Sequence, residues 1–78
     1  MPKELLAPLP GVFYRKPAPD KPPYKSEGDI VAIGDVVGLI EVMKSFIEVH
    51  ADGSGKIVRF AVGDEDPIMA GQLLLEFE

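Results

Sequence analysis

Val36-Val37-Gly38-Leu39-Ile40-Glu41-Val42-Met43-Lys44-Ser45-Phe46-Ile47-Glu48-Val49-His50 is the only long apolar ribbon in the chain. Gly38, Ile40 and Val42 alternate with Leu39 and Glu41, and after Lys44 the pattern resumes with Ile47 and Val49 alternating with Phe46, Glu48 and His50. A period of two predicts two strands joined by a tight turn. With Met43 and Lys44 as the central turn residues, Val42 faces Ser45, Ile40 faces Ile47 and Gly38 faces Val49, which gathers the apolar side chains on one face. Glu41 then faces Phe46, and Leu39 faces Glu48. Moving the turn one residue later sets Glu41 opposite Glu48, where like charges repel. The Met43-Lys44 turn is therefore preferred. Two-residue hairpins favour Asn-Gly, Asp-Gly or Gly-X, which take positive φ cheaply. Met-Lys has no such chemistry, and local rules tend to be broken at functional sites.

Working outward, every other segment reads as a short strand bounded by Gly, Asp or Pro. Gly11 to Arg15 is one strand, Ser45 to Ala51 the second arm of the hairpin, Lys56 to Ala61 another and Gln72 to Glu78 the last, with Ile68-Met69-Ala70 a short strand or bridge. The chain also repeats itself. Gly11-Val12-Phe13-Tyr14-Arg15 parallels Gly55-Lys56-Ile57-Val58-Arg59, Gly28-Asp29 parallels Gly63-Asp64, and Gly34 to Glu41 parallels Gly71 to Glu78. One strand-turn-strand unit is used twice. Thirteen positions separate Arg15 from Gly28 but only four separate Arg59 from Gly63, which predicts an insertion of about nine residues in the first half. It coincides with Pro17, Pro19, Pro22 and Pro23, where the missing amide donors take the chain out of the sheet. The prediction is an all-β sandwich of two small antiparallel sheets packed face to face, burying Val36, Ile40, Ile47, Val49, Ile57, Leu73 and Leu75. Residues 1–9, with Leu5, Leu6 and Leu9 between prolines and no clear period, read as an N-terminal tail ahead of a domain spanning 10–78.

The 78 residues contain no cysteine, so no disulfide or thiolate metal site supports the core. The formal charge of −5 argues against nucleic acid or an anionic membrane as partner, since both need a basic patch. No stretch is long and apolar enough to cross a membrane as a helix, and the expected compartment is the cytoplasm. With one histidine, His50, no His-based catalytic pair or multi-histidine metal site is expected. Asp64-Glu65-Asp66 reads as a solvated turn, because its spacing matches no calcium loop and Pro67 follows at once.

Glu41-Val42-Met43-Lys44 resembles the Glu-Ala-Met-Lys signature of biotinyl carrier domains. The resemblance extends to Pro10 through Arg15, Pro17-Ala18-Pro19-Asp20, Gly34-Asp35, Ala51-Asp52 with Gly55, and Glu65 through Glu78. It lies nearest to the carrier of bacterial acetyl-CoA carboxylase, with Val42 where the family usually has Ala and Ser45 where it often has a second Met. The resemblance implies a flattened barrel-like sandwich with Lys44 at the end opposite the termini. It also implies a thumb-like insert, here Pro17 to Glu27, that approaches the cofactor. Biotin would be attached to Lys44, with Met43 as part of its recognition, by a biotin protein ligase acting through biotinyl-adenylate. A biotin carboxylase would then load the biotin with a carboxyl group and a carboxyltransferase would unload it. The chain itself would be a non-catalytic carrier, and a free-standing one if Met1 is its natural start. An exposed lysine is an ammonium at neutral pH, so its amine needs an outside enzyme to deprotonate it. The parent assembly implied is acetyl-CoA carboxylase; a carrier for another biotin-dependent carboxylase, a lipoyl carrier, whose lysine usually follows Asp, and an unmodified interaction module remain alternatives.

Overall fold

The computed structural model describes residues 3–78. Eight strands run in chain order: β1 (Lys3–Leu6), β2 (Gly11–Tyr14), β3 (Ile30–Val31), β4 (Val36–Val42), β5 (Ser45–His50), β6 (Gly55–Phe60), β7 (Asp66–Ile68) and β8 (Leu73–Phe77). They form two four-stranded antiparallel sheets, ordered β1-β8-β6-β3 and β5-β4-β2-β7. This is the predicted flattened sandwich. Between the sheets lie Phe13, Phe77, Ile40, Ile57, Leu74, Leu75, Val31 and Val37, all essentially inaccessible to water. Each such burial contributes about 1.5–3 kcal/mol relative to exposure. With no disulfide available, they carry the fold.

The internal repeat has a structural counterpart, because exchanging β1 with β5, β8 with β4, β6 with β2 and β3 with β7 converts one sheet order into the other. The matching reaches individual bonds. Gly34 N–H donates to Ala51 O and Ala51 N–H to Asp35 O, while Gly71 N–H donates to Ala7 O and Ala7 N–H to Gln72 O. Asp35 accepts the Ala32 amide on its side chain at 2.9 Å, and Gln72 accepts the Met69 amide at 2.9 Å. Gly34 and Gly71 both need the left-handed backbone there, at φ 92° and 83°. A Cβ on Gly11 would strike Glu41 O, and one on Gly55 would strike Glu78 O. The second half is the first, folded again.

Three expectations need correcting. Residues 3–6 are not a tail: β1 pairs with β8, and Leu5 and Ala7 belong to the core. Met1 and Pro2, the start of the expected tail, lie outside the described residues. The buried set also differs, since Val37 and Leu74 are inside while Val36 and Leu73 are only partly covered. The cause is a β-bulge in each half. The β4–β5 register steps from Val36↔His50 to Gly38↔Val49, and the β1–β8 register from Leu5↔Leu75 to Leu6↔Leu73. Val37 and Leu74 are the extra residues, and a bulge turns the neighbouring side chains onto the other face. Ile47 is 39% exposed, because β5 is an edge strand and only Val49 of it reaches the core.

The third correction concerns the insertion. Gly28 N–H donates to Ile57 O, and the equivalent bond runs from Glu65 N–H to Phe13 O. Asp29 accepts the Ser26 amide as Asp66 accepts the Gly63 amide. Gly28 thus matches Glu65, which holds φ 66° without being glycine, and the match to Gly63 is off by two. Six positions separate Arg59 from Glu65, so the first half carries seven additional residues rather than nine. The stretch between Tyr14 and Ile30 contains no strand. It is pinned by Tyr24 N–H to Arg15 O, by Lys25 to Asp35 at 3.5 Å, and by the Arg15 guanidinium, which stacks 4.0 Å from the Phe60 ring centroid and donates to Lys25 O.

Candidate functional site

The predicted hairpin register is present pair for pair: Val42↔Ser45, Glu41↔Phe46, Ile40↔Ile47, Leu39↔Glu48 and Gly38↔Val49. Met43 and Lys44 take φ 50° and 68°, the two left-handed residues of a type I′ turn. Each costs of the order of 1–2 kcal/mol in an L-residue. The register of the arms imposes the turn, since β4 is locked against β2 on its other side.

The tip extends beyond the core. From Ser45 to Glu48 every residue of β5 is exposed, and Met43 is 92% exposed. Lys44 is exposed too. Among the described residues, no carboxylate forms a salt bridge with its ammonium and no hydrogen bond holds its side chain. The opposite end is closed by the described C-terminus: Glu78 exchanges backbone hydrogen bonds with Lys56, and Phe77 packs against Gly53 just beyond β5. Lys44 therefore stands unpaired among the described residues at the tip of the β4–β5 hairpin, at the far end of β5 from Glu78.

Below the tip, on the outer face of the β5-β4-β2-β7 sheet, lies Tyr14. Its hydroxyl donates to Glu41 Oε1 at 2.8 Å, and its ring sits 5.9 Å from that of Phe46, tilted by 58°. The hydrogen bond to Glu41 raises the phenol above its ordinary value; desolvation and the nearby charges of Glu41, Glu65 and Asp64 act in the same direction. Tyr14 also lines a cleft of about 170 Å³ with Lys16, Pro17, Ala18, Pro19, Asp64 and Glu65. Sequence reasoning placed Tyr14 only on a strand. Its link to Glu41 was hidden because that link requires β2 to lie beside β4, a pairing between segments distant in the chain.

The remaining polar groups are occupied structurally. His50 Nδ1 lies 2.8 Å from Gly34 O and donates to it, fixing the turn before β4. Asp64 accepts the Arg15 amide at 2.7 Å and Asp66 the Gly63 amide at 2.7 Å, so two of the three clustered acids cap loops. The structure brings together Met43, Lys44, Glu41, Phe46 and Tyr14, and leaves His50 and the acidic turn outside that group.

The model of the family described as biotin-requiring enzyme matches residues 3–77. The biotin carboxyl carrier protein of acetyl-CoA carboxylase from Chlamydia pneumoniae is 40% identical over 70 residues, which cover 90% of this chain and 42% of that protein. The chloroplastic biotin carboxyl carrier protein of acetyl-CoA carboxylase from Glycine max is 47% identical over 60 residues, 77% of this chain and 23% of that protein. The chain thus spans less than half the length of either relative. In three dimensions, the urea carboxylase of Kluyveromyces lactis superposes with a TM-score of 0.80 at 29% identity, over 100% of this chain and 6% of that one.

Proposed function

This chain belongs to the biotin-requiring enzyme family of biotin/lipoyl attachment domains, and on that premise we propose that it is a biotin carboxyl carrier with biotin joined through an amide to Nζ of Lys44. The observation that carries this reading is the placement of Lys44 at a strained, exposed turn, with Met43 beside it and no described residue competing for its side chain. A buried lysine could not enter another enzyme's active site. This one can.

The residues of the chain divide the work. Lys44 is the acceptor, and its exposure lets a biotin protein ligase surround it and remove the ammonium proton. Met43 supplies an apolar mark next to it; a lipoyl domain usually has Asp at that place, which favours biotin. The β4–β5 arms keep the tip rigid while the lysine chain swings, so a tethered group meets successive active sites at high effective concentration. Biotin, once bound, supplies a ureido group able to carry a carboxyl unit. The partners implied are the ligase, a biotin carboxylase and a carboxyltransferase. The names of the curated relatives favour acetyl-CoA carboxylase as the parent assembly. A second reading, service to a carboxylase with another acceptor, draws on the urea carboxylase likeness. The carrier is proposed to be cytoplasmic and to leave catalysis to its partners; separately, no described helix is long and apolar enough to cross a membrane.

The test is intact mass after incubation with a biotin protein ligase, ATP and biotin, with Lys44→Arg as control. One biotin adduct, absent from the control, is the expected result. A folded protein that takes no biotin would overturn the proposal. Assay of the loaded protein with acetyl-CoA or urea as final acceptor then separates the two parent assemblies.

A further inference from the structure

We infer that Tyr14 is the positioning residue for modification of Lys44, acting at one remove by holding Glu41 and Phe46, the cross-strand pair that flanks the turn. Glu41 and Phe46 are the last pair on the outer face before the four residues Val42 to Ser45 that form and close the reversal. Tyr14 touches both. In the β2–β4 register it stands opposite Leu39, with Val12 opposite Glu41, so its side chain reaches along the sheet to the next outward pair. Diagonal neighbours in an antiparallel pair lie about 7–8 Å apart, within the span of a tyrosine. The hydroxyl takes the Glu41 carboxylate while the ring takes the edge of Phe46.

The tip needs such a brace for two reasons. Both central turn residues are held at positive φ, which neither prefers, and β5 is an edge strand whose first four residues are exposed. Backbone pairing to β4 fixes the register, yet no described strand pairs with the far side of β5 to limit twisting of the ribbon. Among the described residues, the Tyr14–Glu41 bond is the sole side-chain hydrogen bond to any residue from Glu41 to Ile47. Through Tyr14, orientation is transmitted from β2, in the middle of the sheet, to the edge strand. The same contact keeps the Glu41 carboxylate engaged on the sheet face, away from the amine three residues further on.

This inference rests on the carrier reading, and its test separates the two. Tyr14→Phe keeps the ring and removes only the hydroxyl; Glu41→Ala removes the acceptor. Each single variant is expected to lower kcat/KM for biotinylation on the order of 2- to 10-fold, the range that one net hydrogen bond supplies, with the loss in KM rather than kcat. In the double variant Tyr14→Phe/Glu41→Ala the effects should not multiply, because both changes cut one link. Hydrogen exchange at the Ser45 amide, which closes the turn opposite Val42, should rise in Tyr14→Phe while amides of β8 keep their protection. Wild-type kinetics in Tyr14→Phe, or multiplying effects in the double variant, would overturn the inference. If the wild-type protein takes no biotin, the carrier reading fails. The exchange measurement then decides the brace alone: unchanged Ser45 exchange in Tyr14→Phe rejects it.

Discussion

Met43 and Lys44 sit where a hairpin would place Asn and Gly, and the cost of that choice is measurable. Asn enters the left-handed region more readily than Met. Met43→Asn should raise stability by about 0.5–1 kcal/mol, an upward Tm shift of several degrees in a domain of this size. Modification of Lys44 should become slower at the same time. A Tm that stays level or falls would mean that the turn carries no strain. Asp35 offers a second residue-scale test. The Ala32 amide holds its carboxyl below the usual 3.8; burial opposes this, and the charge and hydrogen bond of Lys25 add to the lowering. A carboxyl depressed in the folded state contributes stability above its unfolded value, lost as pH falls through the folded one. Asp35→Asn keeps an acceptor for the Ala32 amide, as Gln72 does for Met69 in the other half. Its Tm should therefore fall less than wild type on acidification, which Tm measured across the range from neutral to about pH 3 will show. Parallel curves would remove Asp35 from the acid response.

At the scale of elements, the β4–β5 hairpin was legible because its two faces differ: shifting the register by one residue opposes Glu41 and Glu48. The bulges were not legible. In Val36-Val37 and Leu73-Leu74-Leu75 every side chain is apolar, so a pattern of alternation cannot say which member turns inward. β1 was missed for a related reason, since Leu5 and Leu6 are adjacent and only Leu5 enters the core. The insertion boundary was misplaced because Glu65 adopts a backbone that sequence reasoning reserves for glycine. The bulge in β8 makes a sharp prediction. Leu74 is fully enclosed, so Leu74→Ala should cost about 2–5 kcal/mol in chemical denaturation. Leu73→Ala, at a partly exposed position, should cost clearly less. The reverse ranking would restore the unbulged register in which Leu73 points inward.

For the molecule as a whole, the two halves differ chiefly in two places: the Lys44 tip, whose counterpart after β8 is occupied by the described end of the chain, and the connection between Arg15 and Gly28. The matching connection in the second half, Phe60 to Asp64, spans the same gap with five residues where the first half uses twelve. Backbone geometry thus does not require the longer segment. What ties it down is local: the Arg15 guanidinium donating to Lys25 O, Lys25 paired with Asp35, and Glu27 accepting the Phe60 amide. A net hydrogen bond is worth about 0.5–1.5 kcal/mol and a largely solvated ion pair about 0–1 kcal/mol. Replacing Lys16 to Glu27 by the sequence Phe-Ala-Val-Gly-Asp should therefore leave a cooperative fold, weakened by about 1–2 kcal/mol. Lys44 should still accept biotin from the ligase, because none of the replaced residues pairs with β4 or β5 in the sheet. Delivery of the carboxyl group is where the longer segment is expected to matter, since it walls the cleft beside Tyr14 on the Lys44 sheet. Thermal unfolding, intact mass and carboxyl-transfer rate on the one variant distinguish the outcomes. Loss of cooperative unfolding would make the segment part of the fold, and an unchanged transfer rate would leave it without a role in transfer.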